Sequence, residues 1–275
     1  MSLAPAFDDL AETYDASFTT GAIGRRMRAA VQRRLDVAFH PGDHILELNC
    51  GTGEDAIYLA RRGVRVLATD ISPRMLDLTR KKAEAAGLSD LVDIARIAIE
   101  DLARLPAAAA GQDKAEGLPD GPFDGALSNF GGLNCVEDLR AVASGLASRV
   151  RPGARLLLCV MGPVVPWEWI WYVAHGQPRK ALRRLRPGGV QWRGLTIRYP
   201  SIGALRRAFA RDFVQRRVCG LGMLVPPSDA EGWAARQPRL LAALDRWERR
   251  MEAVPPVPWL SDHYLIELER VGPRS

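Results

Sequence analysis

The run Ile45-Leu46-Glu47-Leu48-Asn49-Cys50-Gly51-Thr52-Gly53-Glu54-Asp55-Ala56 constrains this chain more than any other stretch. An apolar strand enters a glycine-bearing turn, and the turn opens a helix. Glycine bends the backbone sharply and lets a ligand approach the main chain. Asn49 stands where such loops usually carry a further glycine, and asparagine is among the few side chains that tolerate positive φ. The glycine loop alone is a weak signal, because Gly51, Gly53 and Ala56 also fit the dinucleotide pattern G-x-G-x-x-A. Two acids narrow it. Glu47 precedes the loop where dinucleotide sites run apolar residues into the first glycine. A carboxylate there suits a ligand bearing an amine or sulfonium cation and repels a pyrophosphate. Asp70 closes the next strand in Ala68-Thr69-Asp70-Ile71-Ser72, where an acid can accept both hydroxyls of a ribose. Asp70 fits either cofactor class; Glu47 weighs against a nicotinamide-dependent oxidoreductase.

Helical and strand periods alternate around this unit. Gly21 to Phe39 reads as a helix through Ile23, Met27, Ala30, Val31, Leu35 and Ala38, and His44–Leu48 as the first strand. Glu54–Arg62 is a helix closed by Gly63, and Val64–Thr69 is a strand. Pro73 to about Ala86 is a helix capped by Ser72 and ended by Gly87. Strands follow at Val92–Ile99, Phe123–Ser128 and Arg155–Met161, with a helix from Glu137 to Val150 and a surface loop at Ala107–Pro122. Ser201 caps a helix over Ile202–Arg211; Phe213–Leu221 and His263–Val271 read as two late strands flanking a helix from about Arg239 to Ala253. Strand-helix alternation implies parallel pairing with right-handed crossovers. The two late strands lack a simple crossover between them, which points to an antiparallel finish. The expected fold is α/β: a doubly wound, mostly parallel seven-stranded sheet with an antiparallel last strand and an inserted helical lid. Ligands of such sheets sit at the carboxyl ends of the strands, where the strand order reverses. The expected units are an N-terminal helical cap (1–40), a cofactor-binding core (41–162), an aromatic, basic inserted lid (163–200) and a C-terminal completion of the sheet (201–275).

Composition excludes several classes. With 275 residues, 47% hydrophobic and 25% charged, the chain can bury an ordinary core. Cys50, Cys135, Cys159 and Cys219 form no C-x-x-C pair and have no adjacent histidine, which argues against a metal site or a disulfide framework and for a reducing compartment. No basic-then-apolar leader begins the sequence, and no uncharged apolar run reaches about 18 residues, so a cytoplasmic protein is expected. The net charge of +6 is uneven: Arg179 to Arg217 holds twelve Arg and Lys with Asp212 as its sole acid. Such an excess favours an anionic partner, or else decorates solvated helices.

The chain resembles the class I S-adenosylmethionine-dependent methyltransferases of small-molecule type, whose glycine motif runs acidic-x-Gly-x-Gly-x-Gly. Phe7-Asp8-Asp9-Leu10-Ala11-Glu12-Thr13-Tyr14-Asp15 resembles their leading FDxxAxxYD segment, Phe123–Phe130 their fourth motif, Arg151–Leu156 the turn before the fifth strand, and Asp262–Leu268 the terminal strand. The resemblance covers about residues 7–161 and the last stretch. It implies a Rossmann-like sheet, S-adenosylmethionine as cofactor and methyl transfer as the reaction. Carried over by position, Tyr14 closes over the cofactor, and Glu47, Asn49, Gly51 and Gly53 hold its methionine end. Asp70 takes the ribose, with Ile71 against the adenine. Ala98, Ile99 and Glu100 flank the adenine, although many members carry Asp where Ala98 stands. Asn129 lies beside the reactive methyl group.

Outside this region the distinctive stretch is Pro166-Trp167-Glu168-Trp169-Ile170-Trp171-Tyr172-Val173-Ala174-His175, followed by the basic run Arg179 to Arg186. It suits a lid over a small hydrophobic or lipid-like acceptor, or docking on an anionic membrane surface as a peripheral protein; nucleic acid is the weakest of the three. A protein that keeps the cofactor fold and binds a membrane or partner without turnover is the alternative. Methyl transfer from a sulfonium has a neutral leaving group, so alignment supplies much of the rate. A general base is needed only for an acceptor that must lose a proton. The candidates are His175 and His263, with Tyr172 behind them. His40 and His44 read as structural, and Cys135 has no neighbour in sequence that would lower its pKa.

Overall fold

The computed structural model describes residues 7–8, 21–104, 122–227 and 230–272. Tyr14 and most of the 107–122 loop lie outside them. The core alternates β1 (His44–Leu48), α2 (Glu54–Ala60), β2 (Arg65–Asp70), α3 (Pro73–Ala85), β3 (Val92–Arg96), β4 (Phe123–Ser128), α4 (Leu139–Ala147) and β5 (Val150–Met161), preceded by α1 (Ala22–Ala38). The seven-stranded sheet has the order β3-β2-β1-β4-β5-β9-β8, with β8 at Phe213–Leu221 and β9 at His263–Arg270. β1 pairs in parallel with both β2 and β4. The chain therefore winds outward to β3, returns, and winds the other way from β4, so strand order reverses between β1 and β4. β9 runs antiparallel to β5 and to β8, as expected for the last strand.

Period-2 alternation explains how the sheet is covered on both faces. Ile45, Val66, Ala68, Leu127, Leu157 and Leu265 share one buried cluster with Ile23, Val31 and Leu35 of α1. Leu46, Leu67, Ala126, Leu156, Leu158 and Ile266 share the other with Val142 and Leu146 of α4 and Leu205 and Phe209 of the helix at Ile202–Phe209. Caps fall where local chemistry places them. Ser72 accepts from the Met75 N–H with Pro73 at the first helical turn, and Ser201 accepts from the Ala204 N–H. Asp138 caps α4, which starts two residues later than its apolar period suggests.

Three elements differ from the sequence reading. β3 stops at Arg96, and a 3-10 turn follows at Ile99–Arg104. The late helix lies close to its expected bounds, at Pro238–Met251, but a short helix that the sequence reading lacked, Glu231–Arg236, precedes it. The insertion is not wholly helical. After α5 (Pro166–Ala174) and α6 (Pro178–Ala181) comes a hairpin, β6 (Val190–Trp192) paired with β7 (Leu195–Ile197). Its turn residues Arg193 and Gly194 have φ of +46° and +80°. Two positive-φ residues between a Trp192–Leu195 pair make the tight turn whose twist matches a hairpin.

Candidate active site

Three left-handed residues turn β1 into α2: Asn49 (φ +49°), Gly51 (φ +55°) and Gly53 (φ +77°). Gly53 lies against α3, where a Cβ would come within 2.5 Å of Thr79 Cγ2. Gly53→Ala therefore combines left-handed strain with overpacking against a stiff β-branched side chain. A loss of about 2–4 kcal/mol is expected, read by chemical unfolding. Asn49 does more than tolerate its φ. Its Oδ1 accepts from Ser128 Oγ at 2.7 Å, and its Nδ2 donates to the Asn129 carbonyl at 3.1 Å, lacing β1 to β4 across the reversal point. Gly132 makes this possible, since a Cβ there would fall 1.9 Å from Asn49 Cγ.

Asp70 ends β2 beside the loop. Its Oδ2 accepts from the Gly51 N–H at 3.0 Å and its Oδ1 from the Ser72 N–H at 2.9 Å. Burial pushes its pKa up, and these N–H donors oppose the shift. The leading segment reaches the same corner: Asp8 accepts from Ser72 Oγ at 2.5 Å, and Phe7 stands 6.3 Å from the Trp192 ring.

Under the loop lies a buried polar group. Arg28 of α1 pairs with Asp55 at 2.8 Å, and Asn129 Nδ2 donates to the same carboxylate at 2.8 Å. The Arg28 guanidinium also sits 5.0 Å over the Phe130 ring. Three buried acceptors in and beside this group have no hydrogen-bond partner among the described residues: Asp55 Oδ1, Asn129 Oδ1 and Glu47 Oε2. Burial holds the Glu47 carboxyl well above its ordinary range; Asp55 and Asp70 add to the shift and Arg28 opposes it.

Above the carboxyl ends of the strands opens a cavity of about 610 Å³. One half is walled by Asn49, Gly51, Asp70, Ile71, Ala98, Ile99, Glu100 and Asn129, eight of the residues singled out in the sequence. The other half is walled by Met161, Tyr172, Val190, Trp192, Ile197 and Tyr199, mostly from the insertion. Glu47 and Gly53 are not on the wall: Glu47 is buried within β1, and Gly53 is the loop-to-helix joint. Of the three catalytic candidates only Tyr172 reaches the cavity. His175 is exposed at the end of α5, with Nδ1 2.7 Å from the Trp171 carbonyl and its ring 4.3 Å from Trp171. His263 is buried behind Phe130, with Nδ1 3.1 Å from Asp262 Oδ2. Cys135 does line the cavity, but burial pushes its thiol up to about 11, so it is no nucleophile near neutral pH.

Sequence reasoning missed the fastening of the insertion. Arg184 is buried and meets Asp262 Oδ1 at 2.5 Å and Glu168 Oε2 at 2.9 Å; it also donates to the carbonyls of Gly162 and Asp262. Arg183 pairs with the same Glu168. Arg198 and Arg216 pair with Glu137 and Glu269. Part of the basic excess is thus used internally. No described helix is long and apolar enough to cross a membrane.

Residues 45–153 match the Methyltransferase domain family. The tRNA 5-carboxymethoxyuridine methyltransferase of Escherichia coli (strain K12) is 30% identical over 192 residues, covering 66% of this chain and 68% of that protein. The chain belongs to the class I S-adenosylmethionine-dependent methyltransferase family. The demethylmenaquinone methyltransferase of Symbiobacterium thermophilum is also 30% identical, over 155 residues, and there the match spans 55% of each chain. An S-adenosylmethionine-dependent methyltransferase from Mesorhizobium loti shares the fold with a TM-score of 0.55 at 18% identity, over 89% of this chain and 98% of that one. The family's cofactor is S-adenosylmethionine, and the site has features suited to it. Gly51 faces open space, Asp70 closes β2 on the cavity wall, and Asn129 Oδ1 is an acceptor with no donor among the described residues.

Proposed function

We propose that this chain transfers a methyl group from S-adenosylmethionine to a small, apolar, lipid-like acceptor held beneath the insertion. The observation that carries this reading is that a single cavity takes in Asp70 and Ile99 from the strand ends together with Trp192 and Tyr199. Its volume lies within the roughly 300–1,000 Å³ of small-molecule sites. In this reading Asp70 takes the ribose hydroxyls, and Ile71, Ala98, Ile99 and Glu100 flank the adenine. Asn129 Oδ1, on the cavity wall, receives the ammonium of the methionine end, and Glu47, off the wall, makes no direct contact with it. When bound, the cofactor supplies an electrophilic methyl on a sulfonium. The chain's own contribution is alignment: Asn49 and Gly132 fix the β1 and β4 ends, and Tyr172 and Trp192 close over the acceptor.

The test is calorimetry with S-adenosylmethionine and NADH, followed by labelled methyl transfer to demethylmenaquinol and to bulk tRNA, the acceptor classes named for the two relatives. Selective S-adenosylmethionine binding is expected, and of the two acceptors the quinol, with its apolar body, should be preferred to tRNA. A preference for NADH, or methylation of tRNA alone, would sink the reading.

A second reading, compatible with turnover, sets the outer face of the insertion on an anionic membrane. Ile170, Val173, Leu182 and Leu185 are exposed beside Arg179 and Arg186. Co-sedimentation with phosphatidylglycerol vesicles that vanishes in high salt would support it; no binding at low salt would remove it.

A further inference from the structure

We infer that the acceptor carries an anionic group, a carboxylate or a phosphate, and that Lys180 recognises it. The inference rests on the proposal that the insertion half of the cavity is the acceptor site. The charged residues of the cavity wall divide by the element that carries them. Its acids, Asp70 and Glu100, lie in the half assigned to the cationic cofactor, whereas its cations, Lys180 and Arg183, lie in the insertion half. Both cations pack on one aromatic face: Lys180 Nζ is 4.2 Å from the Tyr172 ring centroid and the Arg183 guanidinium 5.0 Å.

The two cations are not equivalent. Arg183 is paired with Glu168, a carboxylate it shares with Arg184. Lys180 has no carboxylate partner among the described residues. Among the described residues its ammonium is held by the face of Tyr172, itself buried, and Lys180 lines the cavity. Around it the wall is apolar or aromatic: Tyr172, Val190, Trp192, Ile197 and Tyr199. An uncharged acceptor filling this half would displace water from the cavity side of the ammonium without offering it a charge. An acceptor with an anionic group opposite Lys180 replaces that water with a charge-assisted contact. The site thus selects an apolar body with an acidic end.

Three probes of one shape separate the possibilities: 2-naphthoate, 2-naphthyl phosphate and the neutral 2-naphthamide. Their binding is measured calorimetrically on the protein loaded with S-adenosylhomocysteine, for wild type, Lys180→Met and Lys180→Arg. Lys180 is exposed and outside the buried ion network, so neither substitution empties the core; thermal unfolding checks the fold. At least one anionic probe is expected to bind tenfold or more tightly than the amide. Lys180→Met should abolish that preference and Lys180→Arg should retain it. The tighter of the two anions names the group. Equal binding of all three probes to wild type, no measurable binding of any, or an undiminished preference in Lys180→Met overturns the inference. Failure of S-adenosylmethionine to bind would instead strike the methyl-transfer reading, and the probe series, repeated without cofactor, still reports on Lys180.

Discussion

Asp70→Ala is expected to weaken S-adenosylmethionine binding by a factor of about 100 or more. The carboxylate is buried at the end of β2, on the cavity wall, with each oxygen already taking one N–H, from Gly51 and from Ser72. Each oxygen has a further lone pair, and a ribose diol supplies two O–H donors at matching separation. Hydrogen bonds to a charged acceptor contribute roughly 1.5–3 kcal/mol each. Removing two costs about 3–6 kcal/mol, and loosening of the glycine loop adds to it. Asp70→Asn keeps an acceptor oxygen but brings an N–H₂ group that must face either the Gly51 N–H or the Ser72 N–H. It should therefore lose the loop as well as the charge and fall near the alanine variant. Calorimetric affinity within threefold of wild type for Asp70→Ala would remove Asp70 from the ribose site.

Arg184→Met is expected to release the insertion from the sheet. Arg184 is the shared partner of Glu168 and Asp262, and all three are buried. Taking out one partner of a buried ion group leaves uncompensated charge and costs about 3–5 kcal/mol. The loss should be local, because the cofactor half of the cavity is built by the strand ends and not by the insertion. Limited proteolysis should cut within residues 163–200 at least tenfold faster, and acceptor methylation should collapse, while S-adenosylmethionine affinity changes less than threefold. Unchanged protease resistance would show that the ion group is dispensable.

The same group gives the insertion a pH limit. Burial alone would raise the Asp262 carboxyl, but Arg184 and then His263 more than offset it and hold it below the ordinary carboxylate range. A carboxylate depressed in the folded state contributes stability that is present above its unfolded value, about pH 4, and is lost as pH falls through the folded value. Protease sensitivity of the insertion should therefore rise only below about pH 4, and Arg184→Met should abolish that acid dependence.

The strand, glycine turn and helix from Ile45 to Ala60, the acid closing β2, the caps at Ser72 and Ser201, and the antiparallel last strand were all legible in the residues. Each is written in local periods or in neighbours a few positions apart, which is the range over which sequence pattern acts. The hairpin of the insertion had a local signature too, in Arg193-Gly194 between Val190-Gln191-Trp192 and Leu195-Thr196-Ile197. The surrounding prolines and tryptophans masked it.

What only the tertiary structure decided concerns charges and amides whose partners lie far along the chain. Arg184 belongs to a basic amphipathic run in sequence, yet it is buried on Glu168 and on Asp262, 78 residues away. Asn49 looks like a tolerated substitute for glycine and is in fact bonded to Ser128 and Asn129. Glu47 looks like a ligand for a cation on the wall and is buried within β1, off that wall. His175 and His263, plausible bases by composition, end up outside the cavity, while Tyr172 and Lys180 come together on its wall. Sequence fixes which groups a chain can offer. Which of them meet water, a ligand or each other depends on where the folded sheet and its insertion bring them.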